Sequence, residues 1–301
     1  MKNISILLPT YNDRCAELAG ALHRQAEKIR ESSGGTFEYE VLVGDDGSTD
    51  EAVIMENEGI NKLPRCRYIR RGKNEGRSAI RNFLASQAQY EQLLFIDGDM
   101  KMGGDDYLSN YVNAPECDVI YGGYVIKEDD GLLKHNLRYI YERGNRANSC
   151  AEERRKRPYS NFNTKNFLVW KSVFTAFPLD ERFRRYGYED VFWGKTMMKK
   201  DLEIMHIDNP LVVENFESNV DFLAKTEEGL DTLYEFRDEL RSFSDVISAA
   251  EKVGKLHLKG LFKAFFKRFG GSLKSRLTGN KPSIFLFNVY KLGYYLMKGE
   301  E

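Results

Sequence analysis

Short apolar runs alternate along the first hundred positions with stretches in which apolar residues recur every three or four places. "ISILL" (4–8) is followed by Cys15, Leu18, Ala19, Leu22, Ala26 and Ile29 at helical spacing. Next come "YEVLV" (39–43), a helical pattern near 50–58, "CRYIR" (66–70), a helix over 78–88 and "QLLFI" (92–96). Brief apolar runs bounded by polar clusters read as strands, and the 3.6-residue recurrence reads as helices. This βαβα order predicts an α/β fold with a mostly parallel sheet and helices on both faces. A second half continues with "DVIYGGYVI" (118–126), a charged loop over 152–157, "NFLVW" (166–170) and a helix from Glu189 to Lys199. Beyond "EIMHI" and "PLVVE", a polar periodic stretch predicts a helix from Asn219 to Arg241.

An open parallel sheet binds its ligands beyond the carboxyl ends of the strands, so the strand tips carry the candidate chemistry. They read "PTYN" (9–12), "GDDGSTD" (44–50) and "DGD" (97–99). "PTYNDR" contains no glycine. A dinucleotide site needs a glycine-rich turn there so that the backbone can approach a pyrophosphate, and NAD is therefore not expected. Asp97 and Asp99 stand one residue apart after four apolar residues. That spacing lets both reach one hard divalent cation, with waters and phosphate oxygens completing the shell; magnesium or manganese fits better than zinc. Alone, the same residues also describe a capped turn. In "GDDGSTD", Asp50 is placed to cap the following helix, which leaves Asp45 and Asp46 for another role.

Composition narrows the setting. The chain has 301 residues, 42% of them hydrophobic, and a net charge of −1. That is enough for a substantial core and gives no overall field for nucleic acid. The four cysteines (15, 66, 117 and 150) form no CxxC pair, which suits a reducing compartment and predicts buried free thiols. The apolar run before Pro9 is too short for a signal peptide, and no stretch reaches the roughly 18 apolar residues of a spanning helix. The expectation is a soluble cytoplasmic catalytic part.

Five stretches, "PTYN", "VGDDGSTD", "NEGRSAIRN" (74–82), "FIDGDM" (95–100) and "YGYEDVFWG" (186–194), occur in this order. Together they make the chain resemble glycosyltransferase family 2, over about residues 1–215. The resemblance implies a GT-A fold, a nucleotide-activated sugar as donor, a divalent metal (Mn2+ or Mg2+) held by the DxD, and transfer with inversion. It divides the chain into a catalytic domain, 1–215, with a nucleotide-binding half to about 100 and an acceptor-binding half over 101–215, and a helical extension, 216–301. Carried over residue by residue, Pro9, Thr10 and Tyr11 line the nucleotide pocket. Asp46 accepts a hydrogen bond from the base, read as the uracil of a UDP-sugar. Arg81 lies near the pyrophosphate, with Asn74, Gly76 and Arg77 around it. Asp97 neighbours ribose and metal, and Asp99 is the direct ligand. Asp190 matches the general base, and Glu189 a residue that orients acceptor hydroxyls. Trp193 reads either as stacking on a sugar face, the preferred reading, or as filling the core, and acceptor choice is assigned to the loop from Tyr139 to Ser160 and the tail.

The chemistry accounts for these parts. Cleaving sugar from diphosphate leaves charge on oxygens that a cation stabilises. The attacking hydroxyl must lose a proton to a positioned carboxylate. One departure stands out: where family members of this kind carry a histidine as third metal ligand, "HIDNPLVVENFE" places Glu214, with His206 as the other candidate.

The C-terminal stretch changes character. Residues 252–301 hold eleven Lys and Arg against Glu300 and Glu301, a net of +9. "LKGLFKAFFKRF" (258–269) interleaves aromatics with lysines, as a helix on an anionic membrane does. A pair of packed helices with a solvated basic face is the other reading. The expected partners are a nucleotide sugar, a glycan or lipid-linked acceptor and an anionic membrane surface, with no nucleic acid. Two competing functions are a haloacid-dehalogenase-like phosphatase with Asp97 as nucleophile and a non-catalytic sugar-nucleotide-binding protein.

Overall fold

The computed structural model describes residues 2–128, 131, 133–144 and 150–300. Its elements run, in chain order, β1 (Ile4–Thr10), α1 (Ala16–Ser32), β2 (Tyr39–Asp45), α2 (Glu51–Glu58), β3 (Cys66–Arg70), α3 (Arg77–Gln87) and β4 (Gln92–Ile96). There follow α4 (Tyr107–Val112), β5 (Val119–Tyr121), β6 (Tyr124–Ile126), α5 (Leu137–Gly144), α6 (Ala151–Arg155), β7 (Asn166–Trp170), α7 (Lys171–Ala176) and α8 (Glu189–Lys199). The chain closes with β8 (Ile204–His206), β9 (Leu211–Val213), α9 (Asn219–Glu235), α10 (Arg237–Leu240), α11 (Asp245–Lys255), α12 (Lys259–Thr278) and α13 (Ile284–Met297).

The main sheet has seven strands in the order β3-β2-β1-β4-β7-β5-β8. β1 pairs in parallel with β2 and β4, and β2 with β3, whereas β7 runs antiparallel to β4 and β5. Every residue of β1 and β2 is buried, as expected for central strands covered on both faces. One side of the sheet packs Leu7, Leu42, Phe95, Phe167 and Val169 against Leu84, Phe174, Trp193 and Met197. Full burial of side chains this size contributes roughly 1.5–3 kcal/mol each.

Contacts divide the chain into two compact units. One comprises Met1–Lys127, Ala147–Arg184 and Trp193–Glu214, the other Glu128–Arg146, Arg185–Phe192 and Asn215–Glu301. One break falls between Glu214 and Asn215, and two internal segments, one of them carrying Glu189 and Asp190, belong to the helical unit. That unit is centred on Leu137, Leu223, Leu277, Phe287 and Tyr290. Among the described residues, no helix is long and apolar enough to cross a membrane.

Several sequence expectations change. "DVIYGGYVI" is two strands: β5 belongs to the main sheet, and β6 pairs with β9 in a separate one. The break is Gly122-Gly123. Gly123 has φ 78°, and a Cβ on Gly122 would lie 2.3 Å from the Tyr111 hydroxyl, so no larger residue continues the strand there. The loop expected at 152–157 starts as helix α6, whose Arg154 is buried over the Tyr121 ring and donates to the Ile207 carbonyl. The helix expected over 219–241 breaks at Phe236 into α9 and α10. Cys15, Cys66 and Cys117 are buried thiols, but Cys150 is exposed.

Candidate active site

The parallel register brings three strand tips side by side, with Thr10 opposite Asp45 and Leu7 opposite Phe95. Asn12, in the left-handed region at φ 58°, locks the first two together. Its side-chain oxygen accepts from the Thr49 and Asp50 amides at 2.9 and 3.0 Å, and its own amide donates to Ser48 Oγ at 2.7 Å. Asp50 caps α2, accepting from the Ala52 and Val53 amides, as the sequence predicts. Asp45 accepts from the Ser48 amide at 2.8 Å and from the Tyr68 hydroxyl.

Asp46 is buried with both oxygens turned to the 71–76 loop. It accepts from the Gly76 amide at 2.8 Å, from the Glu75 amide at 3.2 Å and from Arg71 at 3.2 Å. Burial raises its pKa, while the Gly76 amide and Arg71 oppose that rise. In this arrangement Asp46 shapes the loop that opens α3. Of the three residues assigned to the nucleotide pocket on β1, Pro9 and Thr10 are buried within the strand; Tyr11 is exposed.

The DxD lies at the tip of β4. Gly98 packs so closely on β1 that a Cβ there would meet Cys15 Sγ at 2.6 Å and the Pro9 carbonyl at 3.2 Å. The Asp97 amide donates to the Lys165 carbonyl at 3.0 Å. These contacts fix two carboxylates with different surroundings. Asp97 is buried against the equally buried Arg81, whose guanidinium donates to its Oδ1. Arg81 also donates to the Arg77 carbonyl at 3.0 Å. Its position, expected near the pyrophosphate, is thus beside the DxD. Asp99 is exposed.

Asp13, just beyond "PTYN" and outside the five motifs, belongs to the same cluster. Burial, then the neighbouring Asp99, pushes its carboxyl up to about 6, with Asp97 adding to the effect and the Tyr11 backbone opposing it. A bound cation relieves such carboxylate repulsion. Two of these acids plus diphosphate oxygens suffice for magnesium or manganese, which keep an oxygen-only shell. Among the described residues, no three His, Cys, Asp or Glu side chains gather into a metal cage. Glu214 lies between Lys101 and Lys127, 2.8 Å from each, and these lysines lower its pKa. His206 is buried, with Nε2 3.0 Å from the Pro158 carbonyl; burial pulls its pKa down to about 4. Neither stands beside Asp97 and Asp99 as a third ligand in this conformation.

The "YGYED" segment belongs to the helical unit. Gly187 and Tyr188 both have positive φ, 92° and 69°, a strained conformation for tyrosine. α9 holds the segment in place: Glu228 accepts from the Tyr186 amide at 3.1 Å, and the Thr232 hydroxyl donates to the Tyr186 carbonyl at 3.1 Å. Glu189 is buried at the start of α8, and Asp190 is half-buried, accepting from the Val191 amide at 2.7 Å. Trp193 is not a sugar platform: it is buried among Phe162, Phe167 and Phe174 and donates to the Phe177 carbonyl at 2.7 Å. Part of the expected acceptor loop, 145–149, lies outside the described residues.

A mostly parallel sheet with acidic residues at its strand tips is the arrangement that the resemblance to a GT-A fold predicts. The chain belongs to glycosyl transferase family 2, whose sequence model matches residues 5–178. An uncharacterized glycosyltransferase of Haemophilus influenzae is 27% identical over 133 residues, 44% of this chain and 50% of that protein. The chain thus aligns with about half the length of this curated relative. Among solved structures, it resembles the mannosyltransferase PcManGT from Pyrobaculum calidifontis, in complex with GDP-Man and Mn2+. The TM-score is 0.57 with 14% identity, covering 99% of this chain and 85% of that one. TarS 1-349 of S. aureus in complex with UDP-GlcNAc gives a TM-score of 0.51 with 17% identity, covering 99% of this chain and 92% of that one. At such identities these structures establish the shared fold.

Proposed function

We propose that this glycosyltransferase moves a sugar, with inversion, from a nucleotide diphosphate donor, UDP-linked in our reading, to a glycan or lipid-linked acceptor at the cytoplasmic face of a membrane. The observation that carries the donor side is the exposed Asp99 at a strand tip crowded with carboxylates. A divalent cation, Mn2+ or Mg2+, supplies charge stabilisation for the leaving diphosphate when bound. Asp99 is its ligand, and Asp97, oriented by Arg81, stands toward ribose and metal. Glu214 joins them only by releasing Lys101 and Lys127. Exposed Tyr11 is the aromatic face offered to the base, and Pro9, Thr10 and Asp46 set the backbone around it.

On the acceptor side, Asp190 takes the proton of the attacking hydroxyl and Glu189 orients the acceptor. Support comes from the motif resemblance of "YGYED", which lies beyond the residues the family model matches, together with the α9 contacts that fix this segment. Family membership sets aside the phosphatase alternative. The test is donor binding and transfer with a panel of nucleotide sugars and Mn2+. Asp190→Asn is expected to lower turnover by about 10²–10⁴ while donor affinity measured by calorimetry stays unchanged. Binding of no donor by the wild-type protein overturns the proposal. Full transfer by Asp190→Asn removes the base, and donor binding without transfer by the wild type, given matched acceptors, returns the non-catalytic alternative.

A further inference from the structure

Helix α12 has two apolar faces, and the core uses one. Phe266, Leu273 and Leu277 face the helical unit's interior, where the Phe266 ring packs so tightly on α13 that a Cβ on Gly293 would lie 2.1 Å from it. On the other side, Leu258, Leu261, Phe265 and Phe269 follow at helical spacing. Leu261 is 71% exposed, Phe265 40% and Phe269 47%. The two phenylalanine rings lie 5.2 Å apart, forming one ridge, and Leu256 extends the apolar surface before the helix. Scattered exposed apolar residues are ordinary, but a contiguous ridge marks an interaction surface.

The charge around the ridge identifies its partner. Arg268 flanks the ridge, its guanidinium 5.8 Å over the Phe269 ring, exposed Arg276 continues the same stripe at helical spacing, and no acid occurs from 252 to 299. A second copy of the chain would bring this basic surface against itself. A nucleic acid backbone offers phosphates but nothing to bury Leu261 and Phe265. An anionic bilayer offers both, charged head groups for the cations and the acyl boundary for the ridge. A helix of 20 residues extends about 30 Å, enough to lie along the surface.

We propose that the Leu258–Phe269 face of α12 docks flat on anionic phospholipid. This deepens the membrane placement and rests on that reading, but not on donor, metal or transfer chemistry. The test is sedimentation of the full chain with vesicles of equal parts phosphatidylglycerol and phosphatidylcholine, without nucleotide or metal. Pure phosphatidylcholine vesicles and light scattering serve as companions. Wild-type protein is expected to sediment with the mixed vesicles only. The L261S/F265S/F269S variant should bind at least about tenfold more weakly, with its donor hydrolysis and circular dichroism unchanged. A Phe265→Trp variant, which keeps the fold even where the triple substitution does not, should show a blue-shifted emission on adding the mixed vesicles. Absence of binding overturns the proposal. So does equal binding by wild type and triple variant, which means charge attraction alone, or an unshifted Phe265→Trp emission. A dimer that the triple variant dissolves assigns the ridge to a second copy and overturns it too. None of these outcomes bears on whether sugar transfer occurs.

Discussion

The two compact units use charge in opposite ways. At the strand tips of the sheet unit acidic and basic side chains are crowded together, and most are held by hydrogen bonds. Asp97 is locked by Arg81, and Asp46 by Gly76 and Arg71. From 252 to 299 the helical unit carries only basic charges, most of them on exposed surface. A locked charge has been removed from water and depends on one partner, whereas a spread charge stays hydrated and is replaceable. The difference predicts where single substitutions matter.

The largest effect on stability is expected at Arg81. Replacing it with methionine leaves the Asp97 carboxylate buried without its partner and should destabilise the protein by about 3–5 kcal/mol in urea unfolding. Adding Asp97→Asn should recover part of that loss. If Arg81→Met costs nothing, the tip is not locked and the contrast between the units fails.

Next is a pH dependence in the sheet unit. His206 is held neutral by burial, with a pKa near 4 against an ordinary 6.5. The unfolded chain therefore takes up the proton first as pH falls. The contribution is intact above about pH 6.5 and is lost progressively toward pH 4, about 3 kcal/mol in all. Unfolding curves across that window should show the decline, and His206→Gln should flatten it.

The smallest effect belongs to the helical unit. Arg268→Gln on the exposed face of α12 should change unfolding free energy by no more than about 0.5 kcal/mol. A larger loss would show that this charge, too, is locked.

The parts of the fold visible in the sequence are those governed by local periodicity: β1 to β4, α1 to α3, and the Asp50 cap of α2. Of the candidate site, the sequence shows what order along the chain carries: two acids at the end of β4 and an acidic start to α8. What escaped depends on three-dimensional packing. Helical spacing places Arg81 on α3 but does not say that its guanidinium turns to Asp97 rather than outward. An aromatic beside a catalytic motif has the same pattern in a core as on a sugar face, and of the two readings open for Trp193 the packing selects the core. Glu214 reads as a ligand by position in the motif, but Lys101 and Lys127, distant in sequence, bracket it. Asp13 had a visible signal, an acid just beyond the β1 tip, whose meaning required knowing that Asp99 lies nearby.

The central claim is that Asp99, the exposed carboxylate of an otherwise locked tip, holds the metal–diphosphate. The direct test is titration of Mn2+ in the presence of UDP, followed by electron paramagnetic resonance, on wild type and Asp99→Asn. Binding is expected to weaken by about 100-fold in Asp99→Asn, with the unfolding midpoint unchanged because the side chain is exposed. Equal Mn2+ affinity in the two proteins would contradict it.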